Sequence, residues 1–211
     1  MSVPAKQTYV AFLRGVNVGG KKPIRMKQLA EALTAAGFRN VRTFIASGNV
    51  IFEASAKDPG RIARKMEKHL LNALGYEITV MVRTIDDLKK IVKSNPFCQN
   101  RLRKRVGVRV RSTRPLTQAV LTEPSPSADE MLFVTFLASP TAVKPRLPLR
   151  SKTENMEVIA LTDGAAFIVA RRKKTGWFGF PHTFAEKEFK VPTTTRNWTT
   201  VVRIVAAAEK E

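Results

Sequence analysis

Cysteine, histidine, acid and long apolar runs are all scarce in this chain of 211 residues. The single cysteine, Cys98, excludes an intrachain disulfide, and beside two scattered histidines it makes no zinc-ligand pattern, so no metal and no cofactor are expected. The longest early apolar run, Tyr9–Leu13, has five residues, too few for a signal core or a membrane span. The expected location is therefore the cytoplasm. Acid is outnumbered, with 17 Asp+Glu against 37 Lys+Arg and a formal charge of +20. The excess is +10 over residues 1–98 and +10 over 99–211, so it belongs to the whole fold and not to a tail. Such a field attracts nucleic acid, anionic membrane or acidic metabolites. A generally basic background is the alternative. The hydrophobic fraction, 44%, is ordinary and implies a real core.

The first third reads as a complete unit. Residues 8–13 are an expected strand, and 26–36 place Met26, Leu29, Ala30 and Leu33 at helical spacing before Gly37. Val41–Ala46 and Val50–Glu53 form an expected hairpin around Ser47-Gly48-Asn49. Asp58-Pro59 opens a helix with apolar Ile62, Met66, Leu70 and Leu74 that stops at Gly75, and Ile78–Val82 is a fourth strand. The expected class is α+β, a ferredoxin-like βαββαβ plait. The third strand, Asn49–Glu53, lacks the basic-Gly-aromatic pattern of an RNA-recognition motif. The first strand is apolar on both faces, so its sheet needs a second covering layer from the rest of the chain or another subunit.

A degenerate second α/β plait over 131–211 is the expected layer. Phe133–Leu137 echoes Tyr9–Leu13, and Met156–Leu161, Thr162-Asp163-Gly164 and Ala165–Ala170 echo the first hairpin. Pro140, Pro145 and Pro148 leave its first helix short or absent. The organisation read from the chain is a unit over 1–83, a connecting helix (Thr84–Lys93) with a basic insertion over 84–130, and a unit over 131–211 with a closing helix. A homodimer is a further expectation, because a degenerate half leaves sheet edges open.

Two basic stretches stand out. Arg101–Arg114 holds seven basic residues and no acid, and Val106, Val108 and Val110 alternate with Arg105, Arg109 and Arg111. With Arg101, Arg103 and Lys104 it can track a phosphate backbone, or it is a solvated charged strand. Arg171, Arg172, Lys173 and Lys174 precede Gly176-Trp177-Phe178-Gly179-Phe180. Basic residues beside rings suit single-stranded nucleic acid, while rings filling a core beneath a basic loop is the structural alternative.

Between the first strand and helix, Arg14–Lys22 carries three glycines and two lysines, a loop that suits an anion. It has neither the P-loop nor the dinucleotide-fold glycine order. The expected topology brings this loop to the hairpin turn. Arg14, Asn17, Gly19, Gly20, Lys21, Ser47 and Asn49, with Arg196, are thus candidate anion ligands. Tight-turn roles for the same residues are the alternative. Trp198 packing between the halves is the structural reading of the closing segment.

Three segments resemble one bacterial family, the domain of unknown function 1697: Tyr9–Gly20, Phe44–Phe52 and Pro192–Val201. The resemblance is close over 7–98 and looser over 131–208, with 101–122 standing as an insertion. It implies a two-part α/β plait and no established activity, substrate or catalytic residue. No catalytic residue is assigned from the chain itself. His182 is the better general-base candidate of the two histidines but has no evident nucleophile. The leading functional expectation is phosphate-backbone nucleic-acid binding without catalysis. Binding or conversion of a small phosphorylated or carboxylated ligand, and a scaffold for an acidic protein partner, are the alternatives.

Overall fold

Alternation along each strand decides this architecture, because successive side chains point to opposite faces of a sheet. The computed structural model describes residues 7–18, 23–98 and 128–210. Strand β1 (Gln7–Leu13), helix α1 (Met26–Ala35), β2 (Arg39–Thr43), β3 (Asn49–Ala54), α2 (Pro59–Leu74) and β4 (Val80–Thr84) follow the expected βαββαβ order. They form an antiparallel sheet in the order β2-β3-β1-β4. Helix α3 (Ile85–Ser94) follows directly, with the Thr84 hydroxyl accepting from the Asp87 amide at 3.0 Å. Then come β5 (Glu130–Leu137), β6 (Leu149–Arg150), β7 (Met156–Leu161), β8 (Ala165–Arg171), α4 (Pro181–Phe189), β9 (Thr193–Asn197) and α5 (Trp198–Ala208). The second sheet runs β6-β7-β8-β5-β9. Apart from edge strand β6, its β7-β8-β5-β9 order follows the same path as β2-β3-β1-β4 in the first sheet.

The two sheets face each other. Val10 and Phe12 of β1, Ile51 of β3 and Met81 of β4 meet Val134 and Phe136 of β5 and Phe167 of β8 in one buried cluster. Phe12 and Phe136 stack with centroids 3.9 Å apart. The alternate residues Tyr9, Ala11 and Leu13 pack under α1 and α2, and Phe133, Ile168 and Ala170 pack under α4. Both faces of β1 are therefore buried, and the second half of the chain supplies the covering layer. Trp198 and the apolar side of α5 join α3 and Phe97 in the middle layer, with Phe97 and Trp198 edge-to-face at 5.2 Å.

The differences from expectation are local. The second strand stops at Thr43 and not at Ala46, because Ile45 has a φ of 50°, a left-handed conformation that a β-branched residue rarely adopts and that breaks pairing. The fourth strand is Val80–Thr84, two residues later than the expected span. Between β5 and β6 the proline-rich segment forms no helix, in agreement with the expectation from Pro140, Pro145 and Pro148. The basic strand expected over 101–114 lies outside the described residues. No helix among the described residues is long and apolar enough to cross a membrane.

Candidate functional site

The end of β1, the β2–β3 turn and β9 converge on one guanidinium. Arg196 is 9% exposed and its five N–H groups meet six acceptors. Its Nη2 donates to the carbonyls of Leu13 and Ser47 at 3.0 Å each and to Gly48 at 3.4 Å. Its Nη1 donates to Thr194 Oγ1 at 2.9 Å and to the Thr195 carbonyl at 2.8 Å, and Nε donates to Asn49 Oδ1. Burial, unopposed by any carboxylate, lowers the Arg196 pKa to about 10. Fully buried Asn49 in turn donates from Nδ2 to the Phe44 carbonyl at 3.0 Å and to Ser47 Oγ at 2.9 Å. Gly48 has a φ of 69°, and a Cβ there would collide with the side chains of Val16 and Leu13. Only glycine lets the turn lie this close to β1.

Asn17 pins the other side of the loop. Its Nδ2 donates to Ile24 and Ala46 carbonyls at 3.1 Å each, and its Oδ1 accepts from the Ile24 amide at 2.9 Å. The two loops remote in sequence are thus adjacent, and Asn17, Asn49 and Arg196 hold them together. Gly19, Gly20 and Lys21 lie outside the described residues. Arg14 turns toward α4 and forms a bidentate pair with Glu186, at 2.9 and 3.0 Å. Glu186 also accepts from the Thr193 amide at 2.8 Å. His182 sits near this pair. Partial desolvation holds it below the usual imidazole range; Glu186 opposes that shift and Arg14 adds to it. The Thr193 hydroxyl donates to the backbone carbonyl of His182 at 3.3 Å and not to its imidazole, and no group of three or more His, Cys, Asp or Glu among the described residues could hold a metal ion.

Three groups of basic residues bear on contact with a phosphate backbone. Arg101, Arg103, Lys104, Arg105, Arg109 and Arg111 lie outside the described residues. Arg171, Arg172 and Lys173 are matched by acids: Arg171 pairs with Glu157 at 2.7 Å and Glu130 at 3.2 Å, Arg172 with Asp129 at 3.3 Å, and Lys173 with Glu154 at 2.7 Å. Lys174 is exposed. The following rings divide, with Phe178 packed on the α4 core and Trp177 and Phe180 exposed by 78% and 69%.

The third group was not singled out from the sequence. Arg61, Arg64, Lys65 and Lys68 are exposed on α2 at spacings of three and four, opposite buried Ile62, Met66 and Leu70. At 100° per residue they fall within an arc of about 100°. None of the four pairs with an acid among the described residues; Lys65 instead lies 5.0 Å over the Phe38 ring. Arg61 and Lys65 border a groove of about 560 Å³ with Gly37, Phe38 and Ser55 on its other walls. The signal in the sequence is a basic residue at i, i+3, i+4 and i+7 on the helix that Ile62, Met66 and Leu70 mark by their apolar spacing.

Residues 6–106, just under half of the chain, match the family model described as "Protein of unknown function (DUF1697)". Among solved structures, that of the conserved bacterial protein SP0830 from Streptococcus pneumoniae is similar over 97% of this chain and 100% of that one, with a TM-score of 0.55 at 18% identity. At that identity the likeness shows the fold alone. No curated protein matches the chain.

Proposed function

We propose that this protein binds nucleic acid through its phosphate backbone, without catalysis, and that α2 supplies a main contact surface. The observation that carries this reading is the stripe Arg61, Arg64, Lys65 and Lys68, four exposed cations with no acidic partner among the described residues. Like charges at these spacings destabilise a helix by roughly 0.2–0.5 kcal/mol per pair. A surface that keeps them has a use for concentrated positive charge. The net charge of +20 supplies the long-range attraction, and the 101–114 segment is proposed to add further phosphate contacts. A small anionic ligand at the β1–α1 loop has less support, because Arg14, Asn17, Asn49 and Arg196 already serve protein acceptors.

The test is fluorescence anisotropy with labelled duplex and single-stranded oligonucleotides across a salt series. Each phosphate neutralised contributes about 0.9 to the log–log salt slope for a duplex. Replacing all four stripe residues by Gln is expected to weaken binding and flatten the duplex slope by roughly 3 to 4. A control with ion-paired Lys27, Lys89 and Lys90 changed to Gln should change both far less. Equal slopes for the two variants would remove α2 from the interface, and no binding by the wild-type chain near physiological salt would overturn the reading as a whole.

A further inference from the structure

Trp177 and Phe180 stand out because a well-built loop holds them in solvent. The chain turns at Gly176 (φ 82°), where the Gly176 amide donates to the Lys173 carbonyl and the Lys173 amide to the Trp177 carbonyl, both at 2.9 Å. Arg172 fastens the turn to the body. Its Nη1 donates to the Gly176 carbonyl and its Nη2 to the Ala128 carbonyl, each at 3.0 Å, while its guanidinium lies 5.1 Å over the Phe178 ring. Phe178 points inward and packs against the α4 core. Gly179 lies so close to Glu154 and Met156 that a side chain there would clash with both. The ring between the two exposed ones is therefore anchored, and the loop is braced on both sides. The exposure of Trp177 is a built feature and not the result of a loose segment.

Large rings held rigidly in water lose apolar stabilisation that burial would give, so their placement points to a partner that covers them. Charge selects that partner. Four acids, Asp129, Glu130, Glu154 and Glu157, are ion-paired to Arg171, Arg172 and Lys173 at the start of the loop, and Lys174 beside the rings is exposed. The surroundings thus leave no free carboxylate among these residues to repel a phosphate, on a chain of +20. Flat rings braced on a turn within a positive field are what unpaired bases stack on, whatever their sequence. In a duplex the base faces are already stacked on each other.

We infer that Trp177 and Phe180 form a stacking platform for unpaired bases, so that the protein prefers single-stranded nucleic acid. This rests on the proposed nucleic-acid binding and names its substrate class. The ion pairs of Arg171, Arg172 and Lys173 hold the loop, so the platform acts through stacking and adds little to the salt dependence.

The two tryptophans make the test direct, because Trp198 is 3% exposed and Trp177 is 78% exposed. Titration with unlabelled oligothymidylate is expected to quench the Trp177 emission, and Trp177→Ala to abolish that response. By anisotropy, Trp177→Ala should weaken single-strand binding about 5- to 150-fold, the range for one stacked base, with duplex affinity and the salt slope unchanged. Trp177→Phe should recover most of the loss. Oligonucleotide binding without quenching, or equal affinities for wild type and Trp177→Ala, would overturn the platform while leaving the α2 reading in place. No binding of any oligonucleotide would overturn both. A blue shift of Trp177 with anionic phosphatidylserine vesicles, without a response to oligothymidylate, would assign the rings to lipid and also overturn the inference.

Discussion

Arg196 is a buried cation whose hydrogen-bond partners carry no formal charge. Four carbonyls, a threonine hydroxyl and an amide oxygen share it, contributed by β1, the β2–β3 turn and β9. Desolvation brings its pKa down from the usual guanidinium range to about 10, so the folded state disfavours the charged form relative to the unfolded chain. Stability from this group consequently rises with pH only above about 10, up to the usual guanidinium range, and is flat through the neutral range. Lysine has three donors on one nitrogen and cannot reach the same spread of acceptors. Arg196→Lys should therefore destabilise by roughly 2–4 kcal/mol, from unpaired buried acceptors at about 1–3 kcal/mol each. Urea unfolding measures this, and a loss below about 0.5 kcal/mol would show that the joint is held by packing alone. The sequence marked Arg196, Asn49 and Ser47 as one neighbourhood but did not reveal their bonding. The acceptors are mostly main-chain carbonyls, and Asn49 and Leu13 lie 147 and 183 residues from Arg196, so no local pattern encodes the contact.

At the scale of the element, α2 sets stability against charge. Arg64 faces Arg61 three residues before it and Lys68 four residues after it, so Arg64→Glu turns two repulsive pairs into attractive ones, while the pair with Glu67 three residues after it turns from attractive to repulsive. The helix should gain about 0.4–1 kcal/mol net while oligonucleotide affinity falls. Thermal unfolding and anisotropy on the same preparation separate the two effects, and a variant both less stable and equally tight would contradict the account of the stripe. The ends of α2 and α3 were legible because their boundary chemistry is local. Asp58 Oδ1 accepts from the Gly60 amide at 2.8 Å, Gly75 takes a φ of 78° at the C-terminus, and Thr84 caps α3. Strand β9 and helix α4 were not legible. The sequence Thr-Thr-Thr-Arg-Asn has no apolar alternation, and β9 is a strand because it pairs with β5 and because Arg196 and Thr194 bond across to Leu13. Helix α4 starts at Pro181 and buries Phe184, Ala185 and Phe189 with only nine residues, too short a span for spacing to define a helical face.

Across the whole molecule, one apolar layer belongs to both halves of the chain. The need for that layer was readable from β1, whose five-residue apolar run leaves no face for water. Its supplier was readable from the echo of Tyr9–Leu13 in Phe133–Leu137, since each run becomes a strand flanked on both sides in its own sheet. The register between the sheets was not readable, because face-to-face packing depends on side-chain fit and not on hydrogen-bond periodicity. Phe12 and Phe136 mark that register, and the Arg83 Nη2, which donates to the Leu137 and Gly164 carbonyls at 2.5 and 2.6 Å, ties β4 to the second sheet nearby. A shared layer of this kind couples the halves, because neither sheet can expose its inner face without uncovering the other. Phe12→Ala removes a fully buried ring from the centre and should lower stability by about 3–5 kcal/mol. The loss should shift a single cooperative transition, with the emission of buried Trp198 in the second half and far-UV circular dichroism changing together. Two separated transitions in the variant would mean that each sheet keeps its fold without the other, and that the layer between them is an interface and not a common core.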